Sequence, residues 1–448
     1  MIEGVDGVVS DGAGPKAVAV QAKAYALRQL GVATPEILVV DPLGVGGNWL
    51  PGGGWTNGRH LLGTSPLKDV GFPYRTRIVD RVTEASSDEL SRQVDQELFQ
   101  VSWARFLVDT NRYASWIDRG HPAPRHRLWA AYLAWVAQRT ELEVLPGSIS
   151  QICASEDLTH WSLSIQLNNG STRELTSDSL MVTGPGTSSR CIADLPQVYS
   201  LARFWQAVVD DRLQAAGRVA VIGGGESAAS VMNELVRHPC QEIKVISPAA
   251  TIFSRGESQF ENCLYTEPAR WAALDEAARR DVISRTDHGV FSVRVQDFLH
   301  NEDRVSHLRG MAETVETQGT AVSISISDPV AGTRQESFDL VIDARGNSPL
   351  WFTHLMDDHV RELFTQACGG MLSAPCVEER IGADLAVEAM EPKLFLPTLS
   401  GLRQGPGFAN LSCLGELSDR ILAGVGVGEL PHEILDADHR VCAHSGRE

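Results

Sequence analysis

The chain has 448 residues, of which 43% are hydrophobic and 21% are charged, as expected for a globular protein of two or three domains. Its net charge of −18 argues against nucleic acid or an anionic membrane as a main partner, because both bind basic surfaces. No signal-peptide pattern opens the sequence and no apolar run reaches transmembrane length, so we expect a cytoplasmic protein.

The eight cysteines are isolated from one another along the chain. None forms a C-x-x-C or C-x-x-x-x-C pair, the spacings typical of zinc ribbons and of redox-active disulfides in flavin disulfide reductases. The sequence therefore predicts no metal site and no catalytic disulfide.

A dinucleotide-binding pattern begins near the N-terminus. The apolar run Val5–Ser10 leads to Gly12, Gly14 and Ala17, which have G-x-G-x-x-A spacing, and a stretch of good helix formers follows. In such a unit the glycines let the backbone approach a pyrophosphate at the start of the helix. Asp41 closes the next predicted strand, where an acid can accept hydrogen bonds from an adenosine ribose.

Asp11 departs from this pattern, because it precedes Gly12 directly at a position where an apolar strand residue is expected. A carboxylate there is expected to weaken the strand. Its negative charge would also oppose a nearby pyrophosphate.

The segment Gly44–Tyr74 is too rich in glycine to form a stable helix or strand. Its Trp49 and Trp55 offer flat apolar faces, which suit a loop that lies against a large planar ligand. The alternative is an ordered surface loop with structural tryptophans.

A second unit of the same kind stands in the middle of the chain. Val219–Ile222 has the composition of a buried parallel strand, and Gly223, Gly225 and Ala228 repeat the G-x-G-x-x-A spacing before a predicted helix. A further strand is predicted at Glu242–Ser247. The alternative is a tight strand–helix turn that binds no ligand.

Two such units predict an α/β fold with two Rossmann-like dinucleotide-binding domains, the second inserted into the first, and a small, largely helical substrate region. A buried strand within Phe338–Asn347 is expected to return the chain to the first domain. The predicted segments are 1–205 and 336–423 for the first domain, 206–335 for the second, and a flexible tail at 424–448.

Several further motifs accompany the glycine turns: Asn48-Trp49 with Gly53-Gly-Trp-Thr56, Leu62–Tyr74 with Pro66-Leu-Lys-Asp69, Phe260-Glu-Asn262, Lys393–Gly401, Gln404–Phe408 and Leu417–Arg420. With these motifs the sequence resembles the flavin-dependent N-hydroxylating monooxygenases of siderophore synthesis. Within them it is most similar to the actinobacterial lysine N6-hydroxylases. The resemblance covers nearly the whole chain, from about residue 12 to about residue 422.

The resemblance implies an enzyme that binds FAD in the first domain and NAD(P)H in the second. In that family reduced flavin and O₂ form a C4a-hydroperoxyflavin, which hydroxylates the N6 amine of L-lysine for a hydroxamate siderophore. The cofactor performs the difficult step, so no catalytic side chain is implied. The amine must be uncharged, although the pKa of a free lysine is about 10.4, so a dry pocket is required.

The resemblance also assigns site residues. Lys68 matches the family lysine that binds the carboxylate of the substrate, Asn262 matches an asparagine at the substrate, and Asp287 stands where the family has a second asparagine. The residues expected at FAD are Gly12, Gly14, Ala17, Asp41, Trp49, Trp55, Gly346 and Gly407, and those expected at NADPH are Gly223, Gly225, Ser227, Ala228, Ser247 and Arg255.

The choice of hydride donor depends on the end of the strand after the second glycine turn. Ser247 stands there, so no acid rejects a 2′-phosphate, and Arg255 is available to contact that phosphate. We therefore expect NADPH and leave NADH open.

Two other functions stay open from the sequence. A Baeyer–Villiger or S/N-oxygenating flavin monooxygenase would share both glycine turns but would need neither Lys68 nor Asn262. A flavin-poor, non-catalytic relative would explain Asp11. Free or acylated lysine as substrate, the identity of the siderophore, and a monomer or homo-oligomer are also left open.

Overall fold

We describe a computed structural model of the chain over residues 3–77, 87–214, 217–287, 289–346 and 348–429. The strands are β1 (Glu3–Asp11), β2 (Glu36–Val40), β3 (Glu143–Leu145), β4 (Gly147–Ala154), β5 (Trp161–Leu167), β6 (Thr172–Val182), β7 (Val198–Ser200), β8 (Gly217–Ile222), β9 (Cys240–Ser247), β10 (Phe253–Ser254), β11 (Val290–Phe291), β12 (Val305–Arg309), β13 (Met311–Gln318), β14 (Ala321–Asp328), β15 (Gly332–Phe338), β16 (Leu340–Asp343) and β17 (Lys393–Phe395).

The α-helices alternate with these strands through most of the chain. They are α1 (Pro15–Gln29), α2 (Ser87–Phe99), α3 (Trp103–Asp109), α4 (Tyr113–Asp118), α5 (His126–Arg139), α6 (Leu201–Val209), α7 (Glu226–Leu235), α8 (Gln259–Thr266), α9 (Pro268–Ala272), α10 (Glu276–Thr286), α11 (Val293–Leu299), α12 (Asp358–Ala367), α13 (Ala374–Glu378), α14 (Gly401–Gln404), α15 (Pro406–Ala409) and α16 (Leu414–Gly424). Three short 3₁₀ turns lie at Gly47–Trp49, Pro51–Gly53 and Trp351–His354.

The first domain is built on a sheet with the strand order β3-β2-β1-β6-β5-β4. Strands β1, β2, β3 and β6 are parallel, whereas β4, β5 and β6 form an antiparallel meander. Strand β17 pairs in parallel with the end of β6, beyond the residues that pair with β5. Helices α1, α5 and α16 contribute buried apolar residues to the core around this sheet.

The second domain has a five-stranded parallel sheet with the order β12-β9-β8-β16-β7. Helix α7 packs on one face through Ala228, Val231 and Met232. The antiparallel sheet β13-β14-β15 covers the other face, where Ile324 and Ile326 join the core of Ala220 and Val341. Both faces are therefore buried, as a parallel sheet requires.

The strand predicted within Phe338–Asn347 is present as β16, but the prediction that it returns to the first domain was wrong. It pairs with β8 on one side and β7 on the other, so it is the fourth strand of the second sheet. The return strand of the first domain is β17. Both strands are short, apolar and buried, and local sequence does not encode which parallel neighbour such a strand takes.

The predicted boundary after residue 205 was also wrong, because it cuts α6, whose Leu201, Phe204 and Trp205 belong to the core of the second domain. Of the predicted flexible tail at 424–448, residues 430–448 lie outside the described residues.

A helical region joins the two domains at one side. Helices α9 and α10 pack against α14 through Trp271, Ile283 and Leu402. With the two nucleotide-type sheets, this region confirms the predicted fold class. Within the described ranges, no helix is long and apolar enough to cross a membrane.

Candidate functional site

A cleft of about 1170 Å³ separates the two domains and is lined by both. The first domain contributes its glycine turn, the tryptophan-containing loop and residues 183–185 after β6. The second contributes α7, the start of α11 and Arg255. The carboxyl end of β1 reaches this cleft through its glycine turn, and Glu226 and Ser227, which follow the glycine turn after β8, also line it. Open α/β sheets bind ligands at the carboxyl ends of their strands.

The first glycine turn has the shape of a phosphate cradle. Gly12 has φ +109°, and a Cβ there would lie 2.9 Å from the Thr183 hydroxyl. Gly14 is the extended N-cap of α1 without a side-chain cap, and a Cβ there would meet no described atom within 4 Å. The first N–H groups of α1 therefore face open space, as an FAD pyrophosphate requires.

Asp41 lines the cleft with both carboxylate oxygens engaged. Oδ2 accepts a hydrogen bond from the Ala13 N–H at 2.9 Å, and Oδ1 accepts one from the Leu43 N–H at 2.8 Å. These bonds hold the acid beside the glycine turn. The arrangement fits an adenosine ribose at the end of β2, as the sequence predicted.

From the sequence we expected Asp11 to weaken β1, but the strand is formed at this position. The strand extends through Asp11, which pairs with Val40 on one side and Val182 on the other. Burial and the neighbouring Asp41 raise the pKa of Asp11 to about 7. The carboxyl is thus largely protonated below neutral pH, which reduces the charge that would oppose a pyrophosphate.

Lys16, which the sequence reading passed over, ties the first turn to a distant segment. Its ammonium is buried and donates hydrogen bonds to the carbonyls of Phe408, Ala409 and Asn410. Burial lowers its pKa to about 8. Since Ala409 and Asn410 line the cleft, Lys16 fixes part of the cleft wall.

The other residues expected at FAD fall into two groups. The cleft is lined by Trp49, Trp55 and Gly346. The rings of Trp49 and His126 pack nearly perpendicular to each other, with their centroids 4.9 Å apart. Ala17 is buried in α1 and packs against the sheet, as the small third position of the motif requires.

Gly407 has a packing role instead. A Cβ there would lie 2.5 Å from the Tyr265 carbonyl oxygen and 2.7 Å from the Cys413 Sγ. The glycine therefore lets α15 lie close to α8.

The second glycine turn repeats the geometry of the first. Gly223 has φ +130°, and a Cβ there would lie 2.6 Å from the Ala344 carbonyl oxygen. Gly225 is the extended N-cap of α7, with open space around it, and Ser227 lines the cleft. Ala228 is fully buried between α7 and the sheet. The residues fit a second dinucleotide.

Ser247 was expected at NADPH, and that contact stays a prediction. Ser247 is 3% exposed, and its hydroxyl lies 2.9 Å from the His307 Nε2. The Ser247 Cβ also lies beneath Gly224, where an added Cβ would be 3.2 Å away. Because the Ser247 side chain is small, the glycine turn at Gly224 can pack directly on it.

Lys68 and Asn262, which are 194 residues apart in sequence, come together in the structure. The Lys68 Nζ donates a hydrogen bond to the Asn262 Oδ1 at 2.7 Å and lies 4.9 Å from the centre of the Tyr265 ring. Burial lowers the pKa of Lys68 to about 8, an effect that Glu257 opposes and Arg255 reinforces. Two cations, those of Lys68 and Arg255, thus lie close to each other at the edge of the cleft that Arg255 lines.

Arg255 belongs to this cluster, and its guanidinium also lines the cleft. Its Nε lies 3.9 Å from the Glu257 carboxylate. The predicted contact of Arg255 with a 2′-phosphate stays a prediction.

Asp287, which was expected at the substrate, contacts Asn410 in the structure. Its Oδ1 accepts a hydrogen bond from the Asn410 Nδ2 at 3.3 Å, and it lines a smaller cavity of about 250 Å³. Asn410 also lines the main cleft, so Asp287 supports the cleft wall from behind.

A polar joint between the domains was not anticipated either. Glu234 of α7 accepts a hydrogen bond from the Asn57 Nδ2 at 2.9 Å and lies 3.2 Å from the His60 Nε2. Asn57, His60 and Glu234 are all buried. The carboxylate therefore fixes α7 against the tryptophan-containing loop of the first domain.

Comparison with known proteins identifies the family. A family model described as L-lysine 6-monooxygenase/L-ornithine 5-monooxygenase matches residues 99–313. The L-lysine N6-monooxygenase MbtG of Mycobacterium tuberculosis (strain ATCC 25618 / H37Rv) is 49% identical over 424 residues, which cover 93% of this chain and 94% of that protein. The chain belongs to the L-lysine 6-monooxygenase/L-ornithine 5-monooxygenase family.

Solved structures agree with this membership. The lysine monooxygenase NbtG from Nocardia farcinica has a TM-score of 0.82 at 46% identity, covering 93% of this chain and 100% of that one. An ornithine N-hydroxylase from Kutzneria sp. 744, KtzI, has a TM-score of 0.70 at 16% identity, covering 94% and 98%, and shares the fold. The predicted family and enzyme class are confirmed.

Proposed function

We propose that this chain is an FAD-dependent monooxygenase that hydroxylates the N6 amine of L-lysine, with NADPH and O₂ as cosubstrates, for a hydroxamate siderophore. The observation that carries the proposal is the Lys68–Asn262 pair at 2.7 Å, close to Arg255 of a cleft that the first glycine turn and the start of α7 line. Its relatives MbtG and NbtG are named lysine monooxygenases, at 49% and 46% identity.

When bound, FAD supplies the acceptance of hydride and the activation of O₂. The chain supplies the binding of both nucleotides: the first turn holds FAD at the start of α1, and the second holds NADPH at the start of α7. The cleft extends from the first turn to the start of α7, so the two ligands share one space.

The polar cluster at Lys68 binds the amino-acid end of the substrate. An ammonium and a guanidinium, those of Lys68 and Arg255, attract a carboxylate, and Asn262 orients the ammonium. Anchoring this end leaves the aliphatic stem and the amine to extend into the cleft.

The amine must lose its proton before it is hydroxylated. Burial at this site lowers the pKa of Lys68, itself a lysine amine, from 10.5 to about 8. The same exclusion of water favours the neutral form of a substrate amine held in the cleft.

The test is product analysis with the FAD-loaded protein, NADPH and O₂. We expect L-lysine to gain one oxygen atom on its N6 amine, as measured by mass spectrometry, with NADPH consumed in proportion. Ornithine, acylated lysines and a simple ketone complete the panel. Oxygenation of the ketone without any hydroxylamine from a lysine would overturn the proposal in favour of a Baeyer–Villiger enzyme.

A further inference from the structure

Glu226 is the first residue of α7 and directly follows the second glycine turn. It lines the cleft at the end of the helix where the hydride donor is expected to place its pyrophosphate. An ionised acid at this position repels the negatively charged phosphates of the ligand, as does an ionised Asp11 at the first turn.

The carboxyl group of Glu226 lies where the two domains meet. The backbone N–H of Ser292, at the start of α11, favours the ionised form of this carboxyl and so acts to lower its pKa. Its Oε2 faces Gly63 of the first domain, where an added Cβ would lie 3.5 Å away. Its Oε1 is buried and receives no hydrogen bond from any residue that the structure describes.

The charged groups around Glu226 come from two segments, residues 255–257 and α11. Arg255 and Arg294 stabilise the carboxylate, whereas Glu257 opposes it, and burial opposes it most. The Arg294 Nη1 already donates to the Gly63 carbonyl at 2.9 Å. Together these effects raise the pKa of Glu226 to about 7, so both protonation states are populated near neutral pH.

The loop of the first domain that faces Glu226 contributes two further titratable side chains to the same cleft, Arg59 and His60. His60 is directed to Glu234, with its Nε2 3.2 Å from that carboxylate. Glu226 is therefore the acid of the second turn whose protonation changes the charge of the cleft near neutral pH.

We propose that Glu226 binds a proton when the phosphates of the hydride donor enter the cleft, so that nucleotide binding takes up one proton from solution. An ionised carboxylate beside a pyrophosphate in a dry cleft is unfavourable. Protonation removes that charge. The protonated carboxyl can also donate a hydrogen bond from Oε1, which has no partner among the described residues, to a phosphate oxygen. This inference rests on the proposed function, because it assumes that the second turn binds NADPH.

The test is calorimetric titration of the FAD-loaded protein with NADP⁺ between pH 6 and pH 9. In wild type, affinity should fall by up to about tenfold per pH unit above pH 7, as for one linked proton. Titration in two buffers of different ionisation enthalpy should reveal proton uptake. The 2′-phosphate of NADP⁺ itself titrates near pH 6, so the difference from Glu226→Gln is the quantity of interest.

Glu226→Gln should bind NADP⁺ with little change in affinity above pH 7 and more tightly than wild type at pH 8.5. The matched control is Asp11→Asn, which removes the other acid whose pKa is about 7 and should keep the wild-type pH dependence. Flavin content and its absorbance spectrum report whether each variant is folded.

Three results would overturn the inference. Identical pH dependence in wild type and Glu226→Gln would remove Glu226 as the titrating group, and a flat profile in Asp11→Asn would transfer the role to Asp11. Equal binding enthalpies of wild type in the two buffers would mean that no proton is taken up. That result would overturn the inference without any variant. Failure of wild type to bind NADP⁺ at any pH would instead refute the cosubstrate in the proposed function, and the inference with it.

Discussion

The two glycine turns of this protein have nearly the same backbone and quite different surroundings. Each begins with a glycine of positive φ, +109° at Gly12 and +130° at Gly223, and each ends in an extended glycine that caps a helix. The first turn is followed by Lys16, whose three hydrogen bonds secure it to residues 408–410. The second is followed by Glu226, which lines the cleft with an unpartnered oxygen.

This difference matches the task proposed for each turn. A turn secured to the opposite end of the chain suits a nucleotide that stays bound, as FAD does through many turnovers. A turn that faces the cleft with a titratable acid suits a nucleotide that must enter and leave. The same motif is thus proposed to serve a resident and an exchanging ligand, and the side chains at the start of the helix that follows it distinguish the two.

The largest effect is expected from adding a methyl group to the first glycine of either turn. Gly223→Ala directs a Cβ at a backbone carbonyl 2.6 Å away, and Gly12→Ala directs one at a hydroxyl 2.9 Å away. At positive φ each change costs about 3 kcal/mol, roughly a hundredfold in binding. Gly12→Ala should lose FAD, whereas Gly223→Ala should keep FAD and lose NADP⁺, as measured by absorbance and calorimetry.

Gly225→Ala is the matched control, because its Cβ would meet no described atom within 4 Å. It should leave the Tm unchanged and weaken NADP⁺ alone. Loss of FAD from Gly223→Ala would contradict the separation of the two sites.

Lys68→Met should raise the KM for lysine by about 10- to 100-fold, the cost of losing a hydrogen bond to a charged group. Flavin content should be unchanged, because Lys68 lies outside both turns. Because burial lowers the pKa of Lys68 to about 8, the wild-type KM should rise above pH 8 as the ammonium loses its proton, and the variant should lack this rise. Steady-state kinetics from pH 7 to pH 9.5 provide the measurement.

The control for Lys68 is Lys244→Met, since Lys244 of β9 pairs with Glu242 of the same strand and with Glu336 of β15. That variant should keep the wild-type KM. If Lys68→Met instead lost flavin at an unchanged KM, Lys68 would belong to the fold and not to substrate binding.

Glu234→Gln tests whether the joint between the domains keeps the second turn in place. It should lower the free energy of unfolding by about 1–3 kcal/mol at pH 7, because Asn57 and His60 lose a charged acceptor. Burial opposes ionisation of Glu234, but His60, Arg237 and His238 outweigh it and hold its pKa below the ordinary 4.5.

The stabilisation from Glu234 is therefore present above pH 4.5 and lost as the pH falls through the lower, folded-state pKa. Thermal denaturation at pH 7 and at pH 3.5 measures both conditions, and the difference between variant and wild type should shrink at the lower pH. An equal difference at both values would mean that the charge of Glu234 does not stabilise the joint.

The smallest effect is expected from Asp11→Asn at the first turn. The pKa of Asp11 is raised to about 7, so the carboxylate opposes FAD only as the pH rises through 7. The variant should bind FAD roughly three- to tenfold more tightly at pH 8.5 and equally at pH 5.5, for a like-charge repulsion of about 1 kcal/mol. Fluorescence quenching of FAD by the apoprotein measures both. Unchanged affinity at pH 8.5 would mean that the Asp11 charge does not reach the pyrophosphate.

Much of the site was accessible from sequence because its signals are local. The spacing of Gly12, Gly14 and Ala17, and its repeat at Gly223, predicted two nucleotide turns, since a tight turn and a close helix need small residues at those positions. The resemblance brought Lys68 and Asn262 into one site. The sequence placed Gly407 at FAD but could not predict its close contact with α8, because a glycine in a loop looks the same whether it faces a ligand or a neighbouring helix.

The sequence by itself determined the family, the two turns and their order along the chain. Only the tertiary structure decided that β16 belongs to the second sheet, that Lys16 reaches residues 408–410, and that Asp11 and Glu226 are acids with raised pKa values. The physical reason is range: steric demands of a turn act between neighbouring residues, whereas sheet partners and the pKa of an acid depend on groups far away in sequence.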